Sequence, residues 1–222
     1  LRHALLHGAV MEKLSIAQFK KMLAKAAFNI EAAKDELTEL DSQIGDGDHG
    51  TTMVKVMNKI SGTAEAYSGN DFKTLLSEIG MSVLNMGGGA TVPLFGSLFS
   101  GMSRAVAEGT EQLSKDELSE AFKSGEARLL KFSKAPLGAK TLVDSLTPAV
   151  AAFDAFEGCD IADALEAARL AAHEGCMKTK DYVAHFGRAK NLGERAIGIP
   201  DPGSVSVSII FKAFAQSAQE VE

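Results

Sequence analysis

Apolar residues recur at helical spacing along most of the chain. Ile16, Phe19, Leu23, Ala26, Ala27 and Ile30 follow i, i+3, i+4, i+7 intervals, which places them on one face of a helix. Ser15 followed by Gln18 supplies a capping box at its start. Ser114 and Glu117 supply a second box, with Leu113 and Leu118 at the staple positions and Leu118, Phe122, Leu129 and Phe132 as the apolar face. Asp160 is placed to cap a third helix that turns Ile161, Leu165, Ala168 and Ala172 inward. Val207, Ile210, Phe211 and Phe214 stripe a last one, and further helices are predicted at about 50–61, 71–86, 93–108 and 140–156. No segment alternates as a strand would, so the chain is expected to be all-α, with roughly eight helices. The many Ala, Gly and Ser positions let helices approach closely, as a compact antiparallel bundle requires. The linkers at 62–70, 109–114 and 157–159 are short and none has the composition of a hinge. Residues 11–222 are therefore expected to form one domain, and residues 1–10 read as a tag or processing remnant ahead of Met11.

Composition adjusts this picture in a few places. With 45% hydrophobic and 23% charged residues, the 222-residue chain can build both a core and a soluble surface. Its net charge of −6 argues against nucleic acid or an anionic membrane as partner. No apolar run approaches the ~18 residues that a membrane span needs. Cys159 and Cys176 fall in a stretch that reads as one helix, about 25 Å apart, which forbids a disulfide and fits a reducing cytosol. With no Trp and two Tyr, little aromatic stacking is expected, and the 21 glycines must be explained by where they fall.

Eleven of them fall in four inter-helix loops, at 41–52, 87–92, 133–141 and 187–203. If helices alternate in direction, loops of one parity meet at one end. In the first loop, Asp41, Asp46 and Asp48 crowd three carboxylates among Gly45, Gly47 and Gly50, and they repel unless a cation neutralises them. An oxygen-only set favours Mg²⁺, Mn²⁺ or Ca²⁺. The Ca²⁺ helix-loop-helix pattern fails, because Met57 stands where its bidentate Glu is required. Gly87-Gly88-Gly89-Ala90-Thr91 enters a helix near Pro93 and could offer backbone amides to an anion. Neither it nor Gly138-Ala139-Lys140-Thr141 matches the Walker A pattern. The last loop brings Arg188 and Arg195, either of which could pair with phosphate, and the turn Asp201-Pro202-Gly203. His173 and His185 read as structural or surface residues. No Ser/His/Asp or Cys/His constellation supports nucleophilic hydrolysis.

Taken in order, these loops resemble those of the nucleotide-binding L-subunit family of dihydroxyacetone kinase, over residues 12–219. The matching segments are Asp41 to Gly50, Gly88-Gly89-Ala90-Thr91 with Pro93-Leu94-Phe95-Gly96, Gly138-Ala139-Lys140-Thr141 with Asp144, Gly187-Arg188-Ala189, Leu192-Gly193-Glu194-Arg195, and Asp201-Pro202-Gly203. The resemblance implies an antiparallel barrel of eight helices with ADP or ATP in loops at one rim. It implies that Asp41, Asp46 and Asp48 hold two Mg²⁺ ions. His49, Gly50, Thr51, Thr52, Ala90, Thr91, Ser133, Leu142, Arg188, Asp201, Pro202 and Gly203 would surround the nucleotide. Val92 and Ser133 stand where relatives can carry Gly, and Leu142 where they often carry Met. The implied activity is phosphoryl transfer to dihydroxyacetone held on a separate K subunit, with ADP recharged by a phosphohistidine M subunit fed from phosphoenolpyruvate. Three alternatives stay open: exchangeable ATP as donor, a related C3 or C4 substrate, and an ADP-loaded co-activator of a transcription regulator. A homodimer is compatible with any of these.

Overall fold

Both capping boxes form as spaced. Ser15 Oγ accepts from the Gln18 amide and Ser114 Oγ from the Glu117 amide, and each glutamine or glutamate side chain returns a bond to its cap. The computed structural model describes residues 10–220, so residues 1–9 of the expected remnant lie outside the described residues. In chain order the helices are α1 (Ile16–Ala32), α2 (Lys34–Ile44), α3 (His49–Ala66), α4 (Phe72–Leu84), α5 (Thr91–Ala105), α6 (Lys115–Ser133), α7 (Val143–Ala155), α8 (Ile161–Lys178) and α9 (Pro202–Gln219). Their neighbours run α1, α3, α4, α5, α6, α7, α8, α9 and back to α1, which closes a ring of eight helices. The ninth, α2, leans on α3 and α9.

Several sequence expectations change. The all-α expectation holds, but two short strands, β1 (Lys13–Ser15) and β2 (Gln112–Ser114), pair antiparallel ahead of α1 and α6. Three residues are too few to show alternation, so pattern could not find them. Helix α2 was missed because only Leu37 and Ile44 of its residues are buried, and two positions make no stripe. It turns the first part of the expected 41–52 loop into helix, and α3 takes the last part, leaving 45–48 as the true loop. Helix α3 extends to Ala66, shortening the 62–70 linker, and α7 begins at Val143 rather than 140. Cys159 precedes α8 instead of sharing its helix with Cys176, and both cysteines are free. Phe132 leaves the core and is 54% exposed.

The expectation of little aromatic stacking is also corrected. Phe72, Phe19, Phe214, Phe211, Phe122 and Phe153 touch in series through the core, with ring centroids 5.1–6.5 Å apart in tilted or edge contacts. This chain of rings links α4, α1, α9, α6 and α7, so phenylalanine alone does the work that Trp and Tyr share elsewhere. Between α5 and α6 the backbones nearly touch: a Cβ on Gly101 would sit 2.6 Å from the Ser124 carbonyl oxygen. One apolar cluster draws buried side chains from all nine helices. A smaller one joins Ile44, Ala184, Ala189 and Ala196, and pins the 187–199 segment to the end of α2.

Candidate functional site

Helices α3, α5, α7 and α9 all begin on one cleft of about 380 Å³, and α2 and α6 end on it. Four helix N-termini therefore point their positive dipole ends at the same space. The capping pattern differs between the two ends of the ring. At the far end, Ser15, Asp71, Ser114 and Asp160 each accept a first-turn amide of α1, α4, α6 and α8. At the cleft, the N-cap residues of α3, α5 and α7 (Asp48, Ala90 and Leu142) make no side-chain cap bond. Asp41 Oδ2 accepts instead from the first amide of α3 and Thr141 Oγ1 from that of α7, the start of α5 has no side-chain cap, and Asp201 caps α9, accepting from Ser204 N at 2.7 Å. Uncapped amides at a helix start are anion receptors.

The acidic trio lines the same cleft. Among the described residues, Asp41, Asp46 and Asp48 are the group whose carboxylate oxygens could share a cation, all lying within 4.8 Å of one another. Asp41 sits in the last turn of α2, where its Oδ2 accepts from the His49 amide at 3.1 Å. Its carboxylate folds back over Gly45; a Cβ there would lie 2.1 Å from Asp41 Oδ1, so only glycine permits it. Asp46 is paired with Arg188, which reaches in from the 187–199 segment. The donor set is oxygen only and partly open to solvent, which fits a hard divalent cation keeping some of its water.

His49 bonds Ser206 Oγ through Nε2 at 2.8 Å, tying the start of α3 to α9. Burial holds its pKa below the usual histidine value, against the pull of Asp41 and Asp48. Asp201, on the cleft floor, has its carboxyl pushed up to about 7, chiefly by burial and further by Asp144 and Asp41, with the Ser204 amide and Lys140 opposing. Asp144 is buried and braces the 138–141 loop, accepting from Gly138 N at 2.5 Å and Thr141 N at 2.7 Å.

Of the expected site residues, Asp41, Asp46, Asp48, His49, Thr52, Ala90, Thr91, Ser133, Leu142, Arg188, Asp201, Pro202 and Gly203 all line the cleft. Gly50 and Thr51 do not. Gly50 is buried where a Cβ would strike the Lys34 carbonyl oxygen at 2.2 Å, so it serves the α2–α3 contact, while Thr51 is exposed beside it. Phe132, Phe186, Leu94 and Lys140 also line the cleft without having been singled out for it. Phe132 sat at a core-facing phase of α6, and nothing in its spacing marks it as the last residue but one before the helix ends. Lys140 lies in Gly138-Ala139-Lys140-Thr141, which fails the Walker A pattern and enters the family resemblance only as a segment, with no role of its own.

A family model described as the DAK2 domain matches residues 43–216. The chain is 33% identical over 209 residues to the ADP-binding subunit of the PEP-dependent dihydroxyacetone kinase of Escherichia coli (strain K12), covering 93% of this chain and 99% of that protein. It is 36% identical to the ADP-binding subunit of PEP-dependent dihydroxyacetone kinase 2 of Listeria innocua, covering 92% of this chain and 95% of that one. The crystal structure of the dihydroxyacetone kinase of C. freundii in complex with AMP-PNP and Mg²⁺ superposes with a TM-score of 0.72 at 23% identity, over 98% of this chain and 37% of that one, which shows the shared fold.

Proposed function

The chain belongs to the DAK2-domain family, and from that premise we propose that it is the ADP-binding subunit of a phosphoenolpyruvate-dependent dihydroxyacetone kinase. One observation carries this reading: an acidic trio whose oxygens could share a cation and four helix N-termini, that of α5 with no side-chain cap, open onto the same cleft. That is the arrangement a metal-bridged polyphosphate needs, with cations on one side and amide dipoles on the other.

Asp41, Asp46 and Asp48 would hold Mg²⁺, as two ions, and the metal would neutralise the charge of the phosphates. The chain's own groups do the rest. The start of α5, at Ala90 and Thr91, offers amides and a hydroxyl to phosphate. Leu142, Leu94, Phe132 and Phe186 give the cleft an apolar side suited to a base. His49, whose charged form burial disfavours, holds α3 against α9, so the acidic loop keeps its place when the anion binds. Arg188 brings the one guanidinium among the cleft-lining residues; in this state it steadies Asp46, and from there it can reach an incoming phosphate. Phosphoryl transfer asks mainly for this positioning and charge balance. Dihydroxyacetone would be presented by a separate K subunit docked over the cleft, and the bound ADP recharged in place by a phosphohistidine M subunit.

The deciding experiment mixes the chain with a K subunit and dihydroxyacetone and compares two phosphate sources. Dihydroxyacetone phosphate should form with phosphoenolpyruvate and the phosphotransferase components, and ADP should be released from the purified chain on acid denaturation. Turnover on ATP alone, from a chain that carries no nucleotide, would refute the phosphoenolpyruvate-fed reading.

A further inference from the structure

Lys140 is a lysine with no role in the chemistry above, yet it lines the cleft and is only 1% exposed. Its backbone lies at φ 62°, in the left-handed region that residues other than glycine seldom occupy and that persists only where surroundings enforce it. Asp144 enforces it here, holding the amides on either side of the loop. The side chain then runs inward and donates to two backbone carbonyls from distant parts of the chain: Thr179 O at 2.5 Å and Ile199 O at 2.6 Å. These belong to the turn after α8 and to the segment just before α9.

Other bonds draw the same three segments together. Asp201 N donates to Thr179 Oγ1 at 2.9 Å, Gly198 N to Lys180 O at 2.7 Å, and Ser204 Oγ to Thr141 O at 2.6 Å. The Asp201-Pro202-Gly203 turn hangs from this junction. Lys140 is its centre, because it alone bonds both of the other segments through one atom. Burying an ammonium is costly: burial holds the Lys140 pKa below the usual lysine value, although Asp201, Asp181 and Asp144 favour its charge. A chain selected for stability alone would fill this space with an apolar residue and ordinary turns.

We propose that Lys140 is a positioning residue for the nucleotide: its buried ammonium clasps the 179–181 and 197–201 segments to the 138–141 loop and so fixes the Asp201-Pro202-Gly203 floor beneath the bound ligand. The proposal rests on the nucleotide-binding reading above. It assigns Lys140 no contact with the reacting phosphate.

Two variants of the full chain test it, with Mg·ADP as the probe. Lys140→Met removes the clasp, and Thr179→Val removes the neighbouring bond to Asp201 while leaving the lysine. Lys140→Met should weaken Mg·ADP binding by calorimetry roughly tenfold, the scale of lost supporting contacts around a ligand site. Thr179→Val should weaken it less. Amide exchange should speed up at 179–181 and 197–204 and stay slow in α1 and α4. In the reconstituted kinase the loss should appear in KM for nucleotide more than in kcat, which is the signature of lost binding rather than of lost transition-state contact. Unchanged affinity and exchange in Lys140→Met would overturn the proposal, as would a collapse of kcat at unchanged affinity, since Lys140 would then act at the reacting atoms. If Lys140→Met loses its helical circular dichroism, Thr179→Val decides: wild-type affinity there overturns the clasp. Wild-type chain that fails to bind Mg·ADP at all refutes the nucleotide reading instead, so the two failures are distinguishable.

Discussion

At Asp201, burial pushes the carboxyl up to about 7, with Asp144 and Asp41 adding to it, although the same carboxyl caps α9. A folded-state value above the unfolded one means that the ionised form is penalised in the fold. The metal-free and nucleotide-free chain should therefore lose stability as pH rises from about 4 toward 7, and hold level above that. Because Asp201 is partly open to the cleft, the slope should stay below the limit of ~1.4 kcal/mol per pH unit. Asp201→Asn, which keeps a good cap, should flatten the profile in urea titrations at several pH values. A second prediction concerns the acidic trio. Asp46→Ala should abolish phosphoryl transfer and Mg²⁺-dependent ADP binding while leaving helical circular dichroism intact, since it removes an exposed carboxylate and a surface ion pair rather than any core contact. An active Asp46→Ala chain would refute the metal assignment.

Among the elements, the two ends of the ring are built for different purposes. The far end is closed by Ser15, Asp71, Ser114 and Asp160, each bonded to its own helix. These caps should act on stability alone: Ser114→Ala should cost about 1 kcal/mol and leave ADP affinity unchanged. At the cleft end the N-cap residues of α3, α5 and α7 make no such bond, and the start of α5 has no side-chain cap at all, giving up that stabilisation where an anion can supply the partner. Helix pairs impose their own demand. Gly101→Ala would press a methyl against the α6 backbone at 2.6 Å, and should destabilise by roughly 1–3 kcal/mol in thermal melts without touching the cleft.

For the whole molecule, closure of the ring makes the cleft depend on every helix. The apolar cluster is shared by all nine, and the phenylalanine chain crosses five of them. We expect residues 11–222 to melt in one cooperative calorimetric transition. Mg·ADP in the proposed site would bridge segments that are far apart in sequence, so Mg²⁺ and ADP together should raise the midpoint by roughly 5–10 °C at about 100 times the dissociation constant. Either alone should do much less, because the metal needs the phosphates and the phosphates need the metal. No helix among the described residues is long and apolar enough to cross a membrane.

How much of this was legible depended on the range of the interaction. Helical stripes, the two capping boxes and the Asp160 cap are set by residues two to four apart, and they appear as spaced. The acidic trio was legible too, because Asp41, Asp46 and Asp48 are neighbours in sequence and like charges need a reason to stay close. The polar helix α2 and the three-residue strands left too few buried positions to register. What sequence could not supply was the meeting of distant segments. Phe132 fits the core phase of α6, yet the helix ends at the cleft and turns the ring outward. Gly50 has a metal-loop neighbour but spends itself on backbone contact with α2. Lys140 gains its partners only when residues 39 and 59 positions away arrive beside it. Local periodicity and local charge determined most of the helices and the acidic trio; the closing of the ring, driven by burial of a shared apolar core, decided which helix starts face one another and hence where an anion can bind.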